Sequence, residues 1–285
     1  MRSSSSRQFN YWLISFTKKL RFISRGFLVL CMRYFCRLSY DGTKFYGWQH
    51  QPDRPNVQDT IERAFKTFYR QAIAVTGCGR TDTGVHARNY FLHFDMDTVF
   101  NQDDLKGLNA ILPKSIVFHE IFRVKDTAHA RYDAYSRSYS YYFEGKKDPF
   151  TIPFSFQYYQ LHQLDQNLMQ QAAALLLEFS DFSSFCKTNS GVEQKTCTIT
   201  ESRWVFVEDN LSAQFHITAN RFLRGMVRLI VGMCMNVGAG KLSLDTVRNC
   251  LKQKIPMPVQ WSVPASGLFL EQIKYPDEIY LSSKK

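Results

Sequence analysis

The stretch GCGRTDTGVHA, residues 77–87, lies between two segments with the composition of β-strands. Residues 72–76 (AIAVT) are apolar, and residues 89–95 (NYFLHFD) alternate between apolar and polar side chains, a pattern that predicts a half-buried strand. Three glycines between two strands predict a tight loop whose backbone can approach a ligand closely. Short, constrained loops often carry functional groups. The candidates here are Arg80, Asp82 and His86.

The loop alone permits a second interpretation. A glycine-rich hairpin whose Arg80 and Asp82 pair in solvent would have the same sequence pattern. No Gly-Lys-Ser/Thr follows the glycines, so the stretch does not match a loop that binds nucleotide phosphates. The choice between the two interpretations therefore depends on the rest of the chain.

Residues 79–87 (GRTDTGVHA) resemble the signature loop of the TruA-type tRNA pseudouridine synthases, and five further segments resemble the same family in the same order. These segments are residues 40–49 (YDGTKFYGWQ) with 55–59 (PNVQD), the Arg-x-Tyr-x-Tyr motif at 137–141, residues 181–185 (DFSSF), residues 222–232 (FLRGMVRLIVG) and residues 267–276 (GLFLEQIKYP). The resemblance extends from about Arg33 to Pro276, nearly the whole chain after its first 31 residues.

The resemblance implies a role for each matching position. Asp82 would be the catalytic carboxylate, Arg228 its ionic partner, and Tyr139 would lie against the target base. A guanidinium is permanently charged and presents a fork of donors, so Arg228 is expected to keep Asp82 ionised and oriented. The further residues expected to bind substrate are Arg80, Thr81, His86, Tyr141, Arg221, Arg224 and Leu268, with Leu268 beside the base.

Residues 136–143 (SRSYSYYF) predict an aromatic strand. Strand geometry places Arg137, Tyr139 and Tyr141 on one face, because alternate side chains share a face. Without the resemblance, both tyrosines could as well pack in the core of a sheet with their hydroxyl groups hydrogen-bonded.

Asn220 is a suitable helix cap, and the arginines at 221, 224 and 228 follow at the i, i+3 and i+7 spacing of one helical face. A row of arginines is usually a solvated face of a helix. If Arg221 and Arg224 contact phosphates, they supply the clustered positive charge that binding to RNA requires.

The charge of the chain is unevenly distributed. The formal net charge is +11, but six of the 36 basic residues and none of the 25 acidic ones lie in residues 1–31, so the excess over the remainder is +5. This excess permits a nucleic-acid partner without implying one. The seven cysteines form no CxxC pair, which disfavours a zinc site or a disulfide framework and favours reduced thiols in a cytoplasmic protein.

Residues 1–31 are expected to be an N-terminal extension, disordered or non-native, with Met32 as the functional start. Their apolar run at 27–32 (FLVLCM) is far too short to span a bilayer. A transit peptide remains an alternative, because the segment is rich in arginine and serine and contains no acidic residue.

The remainder is expected to form an α+β fold with two sub-domains, 32–135 and 136–285. Residues 32–135 carry the glycine-rich loop, and residues 136–285 carry the tyrosine strand and the arginine helix. Each would be an antiparallel sheet flanked by helices, with a basic RNA-binding cleft between them. With 45% hydrophobic residues, the chain can fill such cores.

The reaction that the resemblance implies breaks the C1′–N1 bond of a uridine, turns the base and joins C1′ to C5. A carboxylate is needed near C1′, as a base that leads to a glycal or as a nucleophile, and both routes remain open. Neither a metal nor an organic cofactor is expected. The resemblance also implies a cytoplasmic homodimer that binds tRNA across both subunits and modifies uridines on the 3′ side of the anticodon stem-loop (tRNA positions 38–40).

Two other classes of protein remain open at this point. The first is an RNA-binding protein of the same fold that has lost catalysis. The presence of Arg80, Asp82, Tyr139 and Arg228 argues against it, since simple binding does not need a carboxylate held ionised inside a site. The second is an α+β enzyme whose glycine loop binds a metabolite phosphate, and this class lacks a phosphate motif.

Overall fold

The computed structural model describes residues 20–22, 28–186, 194–207 and 211–281. In these ranges the chain is a mixed α/β structure, consistent with the α+β class. The strands are β1 (Leu20–Phe22), β2 (Leu28–Leu30), β3 (Met32–Tyr40), β4 (Val75–Gly77), β5 (His86–Met96), β6 (Ile116–Arg123), β7 (Ser136–Glu144), β8 (Phe156–Gln157), β9 (Ile199–Phe206), β10 (Ser212–Ala219) and β11 (Leu268–Lys274).

Five α-helices accompany these strands in the described residues. They are α1 (Val57–Tyr69), α2 (Asp104–Ile111), α3 (Gln166–Leu175), α4 (Met226–Gly238) and α5 (Leu244–Gln253). Short 3-10 helices occupy Ile152–Phe154, Leu161–Gln163, Leu176–Glu178, Ser183–Phe185, Ala265–Gly267 and Asp277–Ile279. No helix in the described ranges combines the length and the apolarity that a membrane crossing requires.

A single nine-stranded sheet runs through both predicted halves, in the order β6-β3-β5-β11-β7-β10-β9, with β4 added beside β5 and β8 beside β7. The two sheets expected from the sequence are therefore joined into one. The join is β11, which pairs antiparallel with β7 and parallel with β5. This strand comes from the end of the chain and covers edges of β5 and β7 that would otherwise be unpaired. Strands β1 and β2 form a separate two-stranded ladder.

The buried side chains form two hydrophobic clusters, one centred in each half. In the first, Phe65 of α1 packs on Phe94 of β5 with ring centroids 4.8 Å apart. In the second, Ile230 of α4 is fully buried together with Phe215 of β10. Tyr139 packs against both clusters. The β7 tyrosine therefore lies where the two halves meet.

Asn56 and Asp165 precede helix-like apolar patterns and are residue types suited to capping, and both predicted caps are confirmed, whereas the cap predicted at Asn220 is wrong. The side chains of Asn56 and Asp165 cap α1 and α3 by accepting hydrogen bonds from backbone amides. Asn220 caps no helix, because its Oδ1 accepts a hydrogen bond from the amide of Thr198 at 2.8 Å. Helix α4 begins only at Met226, after Gly225 in the left-handed region with φ of 71°.

The later start of α4 changes the geometry of the predicted arginine row. Arg221 and Arg224 lie in the turn before the helix, and only Arg228 is helical. The three arginines therefore do not share a helical face. Residues 208–210 (EDN) separate two strand-like segments and predict a hairpin turn, but they lie outside the described residues.

Candidate active site

Asp82 lies in the predicted loop, which connects β4 to β5. Backbone hydrogen bonds hold both ends of this loop: Cys78 N donates to Phe91 O at 2.8 Å, and Gly84 N donates to Phe45 O at 3.2 Å. Between these ends, the hydroxyl of Thr81 is hydrogen-bonded to that of Tyr40 at 2.9 Å. The loop is therefore fixed on both sides of its carboxylate.

Two aromatic residues whose rings stack on each other also form hydrogen bonds to backbone carbonyls of this loop. Trp48 and Tyr90 stack with centroids 4.2 Å apart, and Trp48 N donates to Thr81 O at 3.4 Å. A side chain on Gly47 would place its Cβ 2.3 Å from that same carbonyl oxygen, so only glycine permits the approach. This close contact accounts for Gly47, the second of the two glycines in the segment 40–49.

Two guanidinium groups flank the Asp82 carboxylate. Asp82 Oδ1 lies 3.8 Å from Nε of Arg224, and Oδ2 lies 3.7 Å from Nη1 of Arg228. The side chain of Asp82 is 26% exposed, that of Arg224 79% and that of Arg228 18%. The site thus has one half-buried carboxylate between an inner and an outer positive charge, and a ligand can reach it from solvent.

Arg228 is oriented by a contact of its own. Its Nε donates to the carbonyl of Val263 at 2.6 Å, from the first turn of α4. The hydroxyl of Tyr141 donates to the next carbonyl, that of Pro264, at 2.6 Å. Two successive backbone carbonyls, those of residues 263 and 264, therefore fix the side chains of Arg228 and Tyr141.

Tyr139 is the aromatic side chain next to the carboxylate. It is partly buried, and its ring meets Phe222 edge to face at 5.2 Å. Burial raises the pKa of the Tyr139 hydroxyl well above its usual value, and the nearby Asp82 carboxylate adds to the effect. The hydroxyl therefore stays protonated at neutral pH, and Tyr139 adds no negative charge to the site.

Two of the predicted binding residues form the interior of the site. Tyr141 is fully buried and Leu268 is 5% exposed, and the register of β7 and β11 places them opposite each other. Their side chains share the sheet face of Tyr139, because alternate residues of a strand lie on one face. Thr81 connects the loop to Tyr40 through its hydroxyl and to Trp48 through its carbonyl.

Arg80 and Arg221 are the two remaining arginines that the sequence predicts to bind substrate. Arg80 is exposed, and within the described residues it forms no hydrogen bond or ion pair. Arg221 is half-buried, and its Nη1 donates to Oε1 of Gln194 at 3.2 Å. Of these two predicted binding residues, Arg80 has the more accessible side chain for an RNA phosphate.

His86 is the predicted site residue that the structure places elsewhere. It pairs in register with Phe269, which lies opposite Ser140 and therefore on the other sheet face from Tyr139. Its ring stacks on Phe269 at 4.5 Å, and its Nδ1 accepts a hydrogen bond from Gly42 N at 3.1 Å. Burial lowers the pKa of His86. The histidine is a neutral, buried support at the start of β5.

Other reactive chemistry is disfavoured near the loop. Burial raises the pKa of the Cys78 thiol to about 12, so this cysteine is a neutral thiol and a poor nucleophile at physiological pH. In the described part of the chain, no group of three or more histidine, cysteine, aspartate or glutamate side chains is arranged to hold a metal ion.

One residue of the site was missing from the sequence prediction of substrate and catalytic residues. Arg137 of β7 donates hydrogen bonds to four backbone carbonyls, including that of Cys78 in the Asp82 loop. The available signal was the Arg-x-Tyr-x-Tyr spacing, which places Arg137 on the same strand face as Tyr139.

The chain is similar in sequence to a family model and to individual known proteins. Residues 172–276 match the family model described as tRNA pseudouridine synthase. The tRNA pseudouridine synthase A of Porphyromonas gingivalis is 43% identical over 252 residues, which cover 87% of this chain and 99% of that protein. The tRNA pseudouridine synthase A of Bacteroides thetaiotaomicron is 40% identical over 89% of this chain and 94% of its own. For the Bacillus subtilis protein of the same name, the values are 35%, 86% and 99%.

Proposed function

Because this chain belongs to the tRNA pseudouridine synthase family, we propose that it isomerises uridine in tRNA to pseudouridine at the site around Asp82. The observation that carries this assignment is the position of the Asp82 carboxylate, which lies 3.7 Å from the guanidinium of Arg228 and close enough to the Tyr139 hydroxyl to affect its pKa. A carboxylate, a fixed positive charge and an aromatic face are the three groups that the reaction needs.

In this reaction the C1′–N1 bond breaks, the base turns, and a bond forms between C1′ and C5. C5 loses its proton, N1 gains one in place of its bond to C1′, and no electrons are gained or lost. Such an isomerisation requires neither a metal nor an organic cofactor. Asp82 acts at the ribose as a base or as a nucleophile, since an ionised carboxylate can perform either step.

Arg228 and Tyr139 serve different parts of this reaction. Arg228, held by the carbonyl of Val263, orients the carboxylate toward the ribose. Tyr139 offers its ring to the base, and stacking of this kind contributes about 1–3 kcal/mol per base. Its edge contact with Phe222 holds the ring in place. The detached base is thereby retained while it turns.

The target nucleotide has to leave its helical stack before Asp82 can reach it. Arg80 is exposed and lies two residues before Asp82 in the chain. Arg224 is exposed, and its Nε lies 3.8 Å from the Asp82 carboxylate. They, together with Arg221, are proposed to contact the phosphates that flank the flipped nucleotide. Tyr141 and Leu268 form the apolar floor below the base, and Thr81 holds the loop.

We further propose that the halves 32–135 and 136–285 act as two sub-domains on either side of a basic cleft that receives the tRNA. Tyr139, which packs against the hydrophobic clusters of both halves, would lie at the base of that cleft. The family resemblance supports a cytoplasmic homodimer that acts on the 3′ side of the anticodon stem-loop.

The function is tested by mapping pseudouridine in cellular tRNA with and without this protein. We expect the loss of pseudouridine at one or more anticodon stem-loop positions, and its return when the gene is supplied again. The purified protein should release hydrogen from C5 of labelled uridine in the same tRNA. A protein that binds tRNA but releases no C5 hydrogen would instead be an RNA-binding relative without catalysis.

A further inference from the structure

Arg137 of β7 uses both terminal nitrogens of its guanidinium to bind backbone carbonyls. Its Nη1 donates to the carbonyls of Ala134 at 3.0 Å and Asn220 at 2.7 Å. Its Nη2 donates to the carbonyls of Cys78 at 3.3 Å and Arg131 at 2.7 Å. Each terminal nitrogen carries two N–H groups, so all four of these donors have an acceptor.

The four carbonyls belong to three separate segments that meet at the active site. Cys78 lies in the loop that carries Asp82. Asn220 immediately precedes the turn that carries Arg221 and Arg224. The carbonyls of residues 131 and 134 belong to the crossing segment between β6 and β7. One side chain therefore joins segments that are far apart in sequence.

Arg137 also lies on the strand that carries Tyr139, two residues away and on the same face. The strand with the stacking ring, the loop with the carboxylate and the turn with the outer arginine are thus all connected to a single guanidinium. A displacement of any of these segments would alter the distance from Asp82 to the Tyr139 ring or to the Arg224 guanidinium.

We infer that Arg137 is a positioning residue for the reaction, which sets the place of the Asp82 loop relative to Tyr139 and Arg224 without touching the reacting atoms. This inference rests on the proposed function, because it concerns the rate of that reaction. Positioning matters in such sites because a misplacement of about 1 Å can reduce a rate on the order of 10²-fold.

The chemistry of the side chain explains why an arginine occupies this position. A lysine ammonium has three donors on one atom, so it cannot serve four carbonyls that approach from different directions. The planar guanidinium presents its donors in a fixed fork, which gives each segment a defined direction. Replacement by lysine should therefore retain the charge and only part of the positioning.

The test compares Arg137→Gln and Arg137→Lys with the wild type in the full-length protein. The measurements are the rate of C5-hydrogen release in single-turnover conditions with saturating enzyme, the affinity for tRNA, and the melting temperature. We expect Arg137→Gln to lower the saturated rate on the order of 10²-fold with tRNA affinity close to that of the wild type. Arg137→Lys should recover part of the lost rate.

Arg33→Gln is the matched control for a merely structural role. Arg33 also ties a strand to the crossing segment, since its Nη1 donates to Ala128 O at 2.8 Å, and it pairs with Asp95. Among the described residues its side chain forms no hydrogen bond or ion pair with the Asp82 loop. At a matched fall in melting temperature, Arg33→Gln should keep a single-turnover rate near that of the wild type.

Three results separate this inference from its alternatives. A folded Arg137→Gln protein with an unchanged saturated rate would overturn it, and so would an equal rate loss in Arg33→Gln at the same melting temperature. If Arg137→Gln does not fold, Arg137→Lys is measured against Arg33→Gln, and a rate loss no greater than that of the control overturns the inference. Failure of the wild type to form pseudouridine would overturn the proposed function instead.

Discussion

The carboxylate of Asp82 lies 3.7 Å from Nη1 of Arg228, and the two residues come from opposite halves of the chain. Asp82 is held by the β4–β5 loop, and Arg228 by α4 and the carbonyl of Val263. Both side chains are partly exposed, so this ion pair contributes little to the stability of the fold. The ion pair instead holds the Arg228 guanidinium next to the Asp82 carboxylate where the two halves of the chain meet.

Replacement of Arg228 by lysine should strongly impair catalysis without abolishing it. Lysine keeps a positive charge near Asp82, but it lacks the fork that lets Arg228 face Asp82 and donate to Val263 O at once. The check is a single-turnover rate with the tRNA affinity measured in parallel. A lysine variant with the wild-type rate would show that charge alone is sufficient.

Replacement of Arg224 by glutamine should weaken tRNA binding and its salt dependence. The side chain is 79% exposed beside Asp82, where it can meet a phosphate. Loss of one phosphate contact should reduce the slope of log affinity against log salt concentration by roughly one. Arg248→Gln is the control, because Arg248 pairs with Glu178 on the protein surface. An unchanged slope for Arg224→Gln would leave Arg224 as a solvated residue.

Substitutions of Tyr139 should distinguish stacking from packing. Tyr139→Phe keeps the aromatic face and the edge contact with Phe222, whereas Tyr139→Leu loses the face. If the ring stacks on the base, the leucine variant should lose about 1–3 kcal/mol of binding to the flipped nucleotide, and the phenylalanine variant should bind nearly as well as the wild type. Equal binding by two folded variants would assign Tyr139 to the core alone.

The stability of the protein should fall as the pH drops below about 6.5, in part because of His93. Burial, with the charges of Arg33 and His129, lowers the pKa of His93 from 6.5 to about 3. The unfolded chain therefore binds a proton between these values that the folded chain does not. Folding loses up to about 1.4 kcal/mol per pH unit from this residue as the pH decreases through that window.

Denaturant unfolding of the wild type and of His93→Gln at several pH values between 7 and 5 measures this effect. Glutamine can still accept the hydrogen bond that Ala130 N donates to His93 Nδ1, but it does not titrate. The free energy of unfolding should decline less steeply with falling pH in the variant. Parallel curves would show that His93 is not the titrating group.

The local elements of this fold could be read from the sequence because their causes are local. The Asn56 cap and its helix, and the glycine loop between two strands, depend on residues adjacent in the chain. Asn220 misled the prediction because its side chain is engaged by Thr198, a partner that only the tertiary fold supplies. The sequence pattern therefore placed the start of α4 too early.

In the site, too, the sequence predicted the residues that belong to recognisable motifs and missed contacts that only the tertiary fold creates. The motifs identified Asp82, Tyr139 and Arg228, which the structure brings together. His86 is only four residues from Asp82 in sequence, but it lies on the sheet face opposite to that of Tyr139, because its partner Phe269 lies opposite Ser140. Two of the carbonyls that Arg137 binds, those of Cys78 and Asn220, lie far from it in sequence, and a sequence pattern contains no sign of these contacts.

The central claim is that Asp82 is the catalytic carboxylate, and Asp82→Asn tests it most directly. Asparagine has nearly the same shape, so the fold and the tRNA-binding surface should be retained. An amide cannot act as a base or a nucleophile at the ribose. Asp126→Asn is the control for a carboxylate outside the site, since Asp126 pairs with Arg123 at 2.7 Å.

The decisive measurement is C5-hydrogen release from labelled uridine in tRNA, in single-turnover conditions with excess enzyme. We expect Asp82→Asn to bind tRNA with near wild-type affinity and to release no detectable hydrogen, while Asp126→Asn reacts as the wild type does. Hydrogen release by Asp82→Asn above a few per cent of the wild-type rate would contradict the account and assign the chemistry to another group.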